Sequence, residues 1–411
     1  MSDPHPAPPP RGDEPGTLVP APVRTELGRG VGSVLVDQAA LARVRERFDA
    51  EQAHTLGRYL AAAQSANTLR AYRADWVAFS AWCLREGRTA LPAEPVDVAV
   101  YLAAAADTAR PDGTGWAFAP ATLERRAAAI AAVHAANGLP APTRADVVRL
   151  TLRGIRRSRH ARPHRKRPVL LHTLQALLAV RPEPGWPGGV ARARDTLLLL
   201  AGFAGALRRS ELAALTFDDI ELHHDHRTGD PLLIARLRTT KTDPDGRHAQ
   251  QVALPAASRP ATCPVCAYAA WARLLEIHRD RGTPGLRAHL AQVGPDPAVH
   301  RCHAFTGTPL ADRTSRPLLP AVDRHGRPAP RAMSGRAVAD LVKRYAHRAG
   351  LDPDLFGGHS LRAGFATQAA LGGAGDREIM RQGRWTNPRT VHGYIRTADP
   401  LDDNAVTRLG L

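Results

Sequence analysis

Apolar residues recur at steps of three and four along much of the first half of the chain, the spacing that places side chains on one face of a helix. The clearest such stripe consists of Leu69, Tyr72, Trp76, Phe79 and Cys83. We interpret it as the buried face of a helix capped by Ser65 or Asn67, with stacking on nucleic-acid bases as the alternative. Similar patterns predict helices over residues 96–106, 121–137 and 144–157. The part of the chain before residue 160 is therefore predicted to be a bundle of four or five helices.

The second half mixes helical and alternating patterns. Helices are predicted over residues 171–180, 191–205, 266–281, 334–349, 360–371 and 389–395. Residues 231–238 and 250–254 are predicted to be strands, and Asp245-Gly246 in the segment between them is a turn signal. Residues 282–331 are rich in Pro, Gly and Arg and give no interpretable pattern. The expected fold class is mainly α with a small β-sheet, in two domains.

Composition sets the expected domain limits. Residues 1–35 are rich in proline and charge, which predicts a disordered tail. A helical domain is expected over residues 36–160, a basic linker over 161–168 and a mixed α and β domain over 169–411. A length of 411 residues agrees with two domains plus such extensions.

The charge balance indicates the kind of partner. The chain carries 56 Lys and Arg against 39 Asp and Glu, a net charge of +17, on an ordinary 44% of hydrophobic residues. Such an excess favours a polyanion, and double-stranded DNA is the expected partner. No apolar run approaches the roughly 18 residues of a membrane span and no secretory signal pattern is seen, so a cytoplasmic location without membrane contact is expected. Four cysteines are too few for a disulfide scaffold.

A basic segment joins the two predicted domains. Between residues 144 and 167 there are ten Lys and Arg against one acid, Asp146. Because Pro163 and Pro168 oppose a helix, we interpret residues 156–168 as an extended strap along DNA phosphates, with a solvated charged face as the alternative. The candidate DNA-contacting residues are Arg156, Arg157, Arg159, Arg162, Arg165, Lys166 and Arg167.

Four short polar motifs stand in the second half. They are Leu207-Arg208-Arg209-Ser210-Glu211-Leu212, Thr240-Lys241-Thr242-Asp243, His359-Ser360-Leu361-Arg362, and Gly383-Arg384-Trp385 with Tyr394 nine residues later. Taken singly, each has an ordinary structural explanation: a helix cap, two side chains on one face of a helix, or aromatic residues of the core. Lys241 differs, because the chain has only three lysines and an arginine cannot give up a proton near neutral pH.

In this order the motifs resemble the catalytic signature of the tyrosine recombinases, or phage integrases. The six matching positions are Arg208, Lys241, His359, Arg362, Trp385 and Tyr394. Two further stretches, residues 91–98 and residues 378–396, are similar to Cre-like members, as is a tryptophan at the fifth position. The resemblance covers roughly residues 60–411 and is poor over residues 282–331.

The resemblance implies a C-clamp, in which a helical core-binding domain of SAM-like fold and a catalytic domain lie on opposite faces of DNA. It implies site-specific recombination through a 3′-phosphotyrosine intermediate and a Holliday junction. The working unit would be a homo-tetramer on two DNA sites, with a monomer or weak dimer in the absence of DNA. Neither a cofactor nor a small-molecule ligand is implied, and the gene would be bacterial or carried by a phage or plasmid. A type IB topoisomerase and a non-catalytic DNA-binding protein are the alternatives.

The chemistry of these side chains suits strand cleavage. Ionising a tyrosine at pH 7 costs about 4 kcal/mol, so Tyr394 as nucleophile needs a base or cationic surroundings. Arg208 and Arg362 offer forked donors to the non-bridging phosphate oxygens, and Trp385 and His359 add further groups. By resemblance, Lys241 protonates the leaving 5′-oxygen. Glu211, three residues after Arg208, is expected to orient the arginine or the histidine.

Two other motifs are set aside at this stage. Cys263-Pro264-Val265-Cys266 is followed 34 to 37 residues later by His300, Cys302 and His303, a set from which a zinc site can be drawn. We expect no metal, because there is a single C-x-x-C and strand cleavage in the resembled family requires none. The loop Gly372-Gly373-Ala374-Gly375 lacks the lysine that a phosphate-binding loop would need.

Overall fold

A computed structural model describes residues 65–159, 166–238, 250–294, 299–305 and 316–395, together with the single positions 51, 52, 55, 59 and 409. These residues form two compact units, one on each side of residues 160–165. No described helix is long and apolar enough to cross a membrane. The predictions for the 1–35 tail and for Lys241 lie outside the described residues.

In its described part the first unit consists of helices joined by loops, and an isolated bridge pairs Ala109 with Trp116. Its α-helices are Ala66–Arg85 (α1), Pro95–Ala106 (α2), Pro120–Ala136 (α3) and Asp146–Arg159 (α4). The stripe on α1 is core, since Trp76, Phe79 and Cys83 are all buried. Of the two predicted caps, Ser65 is the one observed, because its hydroxyl accepts the backbone N–H of Thr68 at 3.1 Å.

A buried histidine ties two parts of the first unit together. His134 on α3 is buried, and its Nε2 accepts the backbone N–H of Ala93 at 2.9 Å. Its Nδ1 lies 2.8 Å from the carbonyl oxygen of Ile130, so this nitrogen carries the proton of a neutral ring. Burial lowers the pKa of His134, which keeps the imidazole neutral.

The second unit surrounds a three-stranded sheet with helices. Its helices are Leu171–Ala179 (α5), Gly188–Ala204 (α6), Arg209–Ala214 (α7), Pro264–Leu290 (α8), Gly335–Arg348 (α9), Ser360–Leu371 (α10), Asp376–Gly383 (α11) and Pro388–His392 (α12). Its strands are Ile220–His224 (β1), Pro231–Leu237 (β2), Gln250–Pro255 (β3), Pro320–Val322 (β4) and Pro328–Ala332 (β5). Strands β1, β2 and β3 form an antiparallel sheet in that order, and β4 and β5 form a separate hairpin. The fold-class prediction, mainly α with a small β-sheet, is confirmed.

Several elements escaped the sequence patterns. Strand β1 was not predicted, because it is short and its last two residues are exposed histidines. Helix α11 was missed because Ile379 is its one fully buried large apolar side chain. Residues 282–331, which gave no pattern, contain the end of α8 and the hairpin of β4 and β5. The predicted helix 266–281 continues to Leu290 across a non-helical Gly282.

The basic segment was predicted to be extended along its whole length, and the structure shows that its first residues are helical instead. Helix α4 runs to Arg159, so Arg156, Arg157 and Arg159 are helical residues of the first unit. Basic side chains in the last turn of a helix interact favourably with the partial negative charge of its carbonyl end. An extended conformation is therefore excluded for the first part of the segment.

The first residues of the second unit pack directly on α10. The backbone N–H of Val169 donates to the carbonyl of Ser360 at 2.9 Å. One turn further along α10, a Cβ atom on Gly364 would lie 1.9 Å from the carbonyl oxygen of Val169, so only glycine permits this approach. The chain thus enters the second unit in contact with the helix that carries the His-x-x-Arg motif.

Candidate active site

Arg208 lies immediately before the first turn of α7. Its backbone is extended, and its N–H donates to Glu211 Oε2 at 2.9 Å, the reciprocal half of a capping box. Its guanidinium Nη1 donates to Glu211 Oε1 at 2.5 Å. One carboxylate therefore fixes both the backbone and the side chain of Arg208.

Glu211 also holds a second arginine. Arg384 Nη2 lies 2.8 Å from Glu211 Oε2, and the two side chains are 7% and 2% exposed. Burial alone would raise the pKa of the Glu211 carboxyl, but the charge of Arg384 and the hydrogen bonds and charge of Arg208 outweigh it, and the pKa is lowered. Glu211 is therefore a buried carboxylate shared by two guanidiniums, which extends its predicted role of orienting Arg208.

Arg362 on α10 is buried, with 1% exposure. Its Nη1 donates to the carbonyl of Ala206 at 2.5 Å, and its guanidinium carbon lies 4.1 Å from the ring centroid of Trp385. Its Nη2 is buried without a hydrogen-bond partner among the described residues. A donor left in this state is costly unless a ligand satisfies it. The side chain is thus held on two sides and has one donor available.

Two turns with positive φ angles bring these arginines together. Ala206 and Arg384 have φ angles of 46° and 56°, in the left-handed region that L-residues rarely adopt. Arg384, at the C-terminal cap of α11, donates through Nη1 to the carbonyls of Gly205 and Gln382. The carbonyl of Ala206 accepts from Arg362 and lies 3.4 Å from Arg384 Nη2.

Trp385 and Tyr394 complete the described cluster. Their ring centroids are 5.3 Å apart, and Trp385 is 7% exposed while Tyr394 is half-buried. The indole occupies the space above Gly383, where a Cβ atom would lie 1.8 Å from the ring. The carbonyl of Tyr394 accepts the hydroxyl of Thr367 on α10 at 2.9 Å, which ties the tyrosine turn to the helix of Arg362.

The electrostatics of the cluster favour an anion. Burial, followed by repulsion from Arg208 and Arg384, lowers the pKa of Arg362 to about 9. Burial also lowers the pKa of Arg384, against the attraction of Glu211. Among the described side chains of the cluster, the three guanidiniums are balanced by the single carboxylate of Glu211. A phosphate oxygen placed here would relieve this repulsion.

The remaining predicted catalytic positions are less defined. His359 is exposed and forms the N-terminal cap of α10, three residues before Arg362. Lys241 lies outside the described residues, between β2 and β3. The structure therefore groups Arg208, Arg362, Trp385 and Tyr394, and places His359 at the start of the helix that bears Arg362.

Arg384 was missed by sequence reasoning. It was quoted within the Gly383-Arg384-Trp385 motif but received no role, and its partner Glu211 lies 173 residues earlier in the chain. The available signal was the residue type itself, since an arginine between a glycine and a buried tryptophan needs a buried acceptor. The structure supplies that acceptor.

The predicted DNA-contacting residues have different surroundings. Arg156 pairs with Glu124 at 2.8 Å, whereas Arg157 is exposed. The side chain of Arg159 packs against its own unit: its guanidinium carbon lies 4.3 Å from the Trp116 ring centroid, and its Nη1 donates to the carbonyl oxygen of Phe118 at 3.2 Å. In the second unit, Lys166 donates to the carbonyl of Asp354 and Arg167 is exposed. The last two candidates, Arg162 and Arg165, lie outside the described residues.

Comparison with known proteins identifies relatives along most of the chain. An integrase/recombinase described as a xerD homolog from Selenomonas ruminantium is 33% identical over 355 residues, which cover 86% of this chain and 88% of the relative. The recombinase Cre of Escherichia phage P1 is 26% identical over 342 residues, or 80% of this chain and 84% of Cre. A solved structure of the XerH site-specific recombinase bound to a palindromic difH substrate aligns with a TM-score of 0.49 at 14% identity, covering 92% of this chain and 90% of that one. No family model matches the chain.

Proposed function

The chain belongs to the tyrosine recombinase family, and from this premise we propose that it is a site-specific DNA recombinase in which the cluster around Arg362 is the active site. It cleaves and rejoins DNA strands through a covalent 3′-phosphotyrosine and a Holliday junction. The observation that carries the assignment of the site is the convergence of Arg208, Arg362 and Trp385 beside Tyr394. DNA is its partner.

Arg362 and Arg208 bind the scissile phosphate. The unpartnered Nη2 of Arg362 is the donor that a non-bridging oxygen would accept, since Ala206 already occupies Nη1. Negative charge grows on these oxygens as phosphorus becomes five-coordinate, so donors held by Ala206 and Glu211 stabilise the transition state without reorganising. Trp385 adds an indole N–H and excludes water from one side.

Tyr394 attacks the phosphorus through its phenolic oxygen. The bond between phosphorus and the 5′-oxygen breaks, and the bond energy is kept in the phosphotyrosine, so rejoining requires only attack by a 5′-hydroxyl. We assign to His359 the acceptance of the phenolic proton or a hydrogen bond to the phosphate, and to Lys241 the proton given to the leaving 5′-oxygen.

The assembly proposed is a homo-tetramer on two DNA sites, in which pairs of strands are exchanged in turn. The 161–168 segment is the basic linker between a core-binding domain over residues 36–160 and a catalytic domain over residues 169–411. The exposed Arg157 precedes this linker and the exposed Arg167 lies within it, and these are the side chains that we assign to phosphate contacts.

The decisive experiment begins with covalent trapping, because the target site must first be identified. The full chain is expressed in bacterial cells that carry a plasmid library of genomic fragments, denatured in detergent, and the covalently bound DNA is sequenced. A synthetic duplex of the recovered site, nicked so that the short strand with its 5′-hydroxyl diffuses away, then accumulates the adduct. We expect an adduct with the wild-type chain and none with Tyr394→Phe, while Tyr72→Phe retains it.

Three outcomes contradict the proposal. Absence of a wild-type adduct would leave only DNA binding. An adduct formed by Tyr394→Phe would place the nucleophile elsewhere. Relaxation of supercoiled plasmid without recombination between two sites would assign the same chemistry to a topoisomerase.

A further inference from the structure

Three cysteines and a histidine converge at the start of α8. Cys263, Cys266 and Cys302 are all buried and none is in a disulfide, and His300 is half-buried. Their ligand atoms, three sulfurs and one imidazole nitrogen, all lie within 4.8 Å of one another. We propose that Cys263, Cys266, His300 and Cys302 bind one zinc ion that holds this part of the second unit together.

The distances are those of the edges of a small tetrahedron. A zinc ion with ordinary bond lengths separates two thiolate sulfurs by about 3.8 Å and a sulfur from a nitrogen by about 3.6 Å. Here Cys263 Sγ and Cys302 Sγ are 4.0 Å apart. His300 Nδ1 lies 3.4 Å from Cys266 Sγ and 3.5 Å from Cys302 Sγ. Burial of cysteines as ordinary apolar residues does not require four such atoms to meet.

Neighbouring groups are arranged as around a metal ligand. The Nε2 of His300 faces the carbonyl oxygen of Ser258 at 3.4 Å, which favours a proton on Nε2 and leaves Nδ1 free to coordinate. The backbone N–H of Cys266 points at the Cys263 sulfur at 3.4 Å, a contact that stabilises a thiolate. Cys263 caps α8, so its sulfur also lies at the positive end of that helix.

The structure separates the two histidines that the sequence left as candidates. His303 is exposed, and its ring packs edge-on against His300 at 5.5 Å between centroids. It is not among the four convergent residues. The sequence-based preference against a metal rested on the single C-x-x-C and on the resembled family, whose strand cleavage requires none. The structure brings His300 and Cys302, two of the candidates named from their spacing, to the C-x-x-C.

The set of four protein ligands indicates a structural role for the ion. Four ligands fill the tetrahedral shell of zinc and leave no position for a substrate or water. The ion would tie the start of α8 to the short helix Cys302–Ala304, two segments that lie some forty residues apart in sequence. Within the described residues 299–305, regular structure is limited to this short helix, so the ion would supply a connection to α8 that backbone pairing does not provide there.

The test measures metal and thiols in the same preparation of the full chain, purified with reductant and without chelator from zinc-supplemented cells. We expect one zinc ion per chain by elemental mass spectrometry and four thiols after denaturation and chelation. Cys302→Ser and Cys266→Ser should lose most of the zinc. Cys83→Ser, a change at the buried cysteine of the first unit, and His303→Ala should keep it.

A second measurement uses the wild-type chain and therefore tests the zinc site even if the cysteine variants fail to fold. Wild-type chain exchanged with cobalt(II) should show the intense visible bands of a tetrahedral site with thiolate ligands, and zinc should abolish them. The proposal is overturned by a zinc-free chain that binds no cobalt, by a pale octahedral cobalt spectrum, or by zinc content unchanged in Cys302→Ser. Loss of two thiols through a Cys263–Cys302 disulfide would also overturn it.

Discussion

Arg384 and Glu211 form an ion pair in which neither side chain is more than 7% exposed, with 2.8 Å between Nη2 and Oε2. The same carboxylate holds Arg208 through its other oxygen. Because Arg384 holds Glu211 and Glu211 holds Arg208, the position of Arg208 depends on Arg384, which lies much later in the chain. Loss of either member of the pair would disturb Arg208, the group that we propose binds phosphate.

Glu211→Gln should lower both stability and cleavage. The amide keeps the shape of the side chain but leaves two buried guanidiniums without their counter-charge, a change that costs about 3 kcal/mol in such settings. We expect urea unfolding to show this loss and the rate of adduct formation to fall at least about tenfold. Glu276→Gln, which removes a surface partner of Arg273, serves as the control, with less than about 1 kcal/mol expected. Equal effects of the two variants would contradict the shared-carboxylate role.

Arg362→Ala should reduce cleavage by at least about 10²-fold, the scale for one transition-state donor. Arg362→Lys should recover only a small part of it, because a lysine keeps the charge but cannot donate to Ala206 and to a phosphate oxygen in one plane. Single-turnover adduct formation on the nicked duplex measures the rate, and DNA affinity is measured separately. Full activity of the lysine variant would show that charge alone matters at this position.

The role of Lys241 can be tested with a changed leaving group. Lys241→Ala should slow cleavage of an ordinary phosphodiester strongly. A 5′-bridging phosphorothiolate releases a thiolate, which departs without a proton, so the defect should largely disappear on that substrate. Arg208→Ala should show no comparable rescue, since it acts on non-bridging oxygens. An equal defect of Lys241→Ala on both substrates would mean that the lysine positions DNA.

Arg157 and Arg159, two residues apart on α4, should behave differently on substitution. Arg157→Ala should weaken binding to any duplex and reduce the salt dependence of the binding constant by about one phosphate contact. Arg159→Ala should leave that salt dependence unchanged and lower the stability of the first unit by about 1 kcal/mol, since its guanidinium stacks on Trp116. Binding titrations at several salt concentrations and thermal unfolding separate the two. A changed salt dependence of the binding constant for Arg159→Ala would show that Arg159 contacts DNA.

Acid should destabilise the first unit through His134. Burial lowers the pKa of this histidine in the folded state, whereas in the unfolded state it keeps the ordinary pKa of about 6.5. At pH values between these two pKa values the unfolded state therefore binds more protons than the folded state. Stability is therefore full above pH 6.5 and falls as the pH drops below it. Hydrogen exchange of peptides from α1 to α3 should accelerate between pH 7 and 5 after correction for the intrinsic rate. His134→Gln should lose this dependence and the exposed His172→Gln should keep it. The same dependence in both variants would assign it to another group.

The helices were predictable where burial follows a regular period. The stripe on α1 follows from local spacing, because that helix buries one face. Helix α10 was predicted with its observed bounds, although its first two turns are buried on nearly all sides. Strands β4 and β5 were not predictable, since they are short and begin with proline. Their pairing depends on contacts that no local pattern encodes.

The site was predictable as a set of residue types and not as a geometry. The motifs pointed to Arg208 and Arg362 but gave no role to Arg384, whose contact with Glu211 spans 173 residues. The set Cys263, Cys266, His300 and Cys302 was recognised as a candidate but set aside, since the sequence does not show that these residues meet. Both are long-range meetings of polar groups, which only the folded chain brings together.

The contact of Val169 with Ser360 and Gly364 has a mechanical consequence. A pulling force that reaches the second unit through its preceding chain is borne first by Lys166 and by the backbone N–H of Arg167, which bond to the carbonyls of Asp354 and Leu355, and then by the backbone at residue 169. That backbone contacts the turn of α10 that begins at His359 and carries Arg362. Once the two preceding bonds have yielded, tension in the linker therefore acts directly on the helix of Arg362.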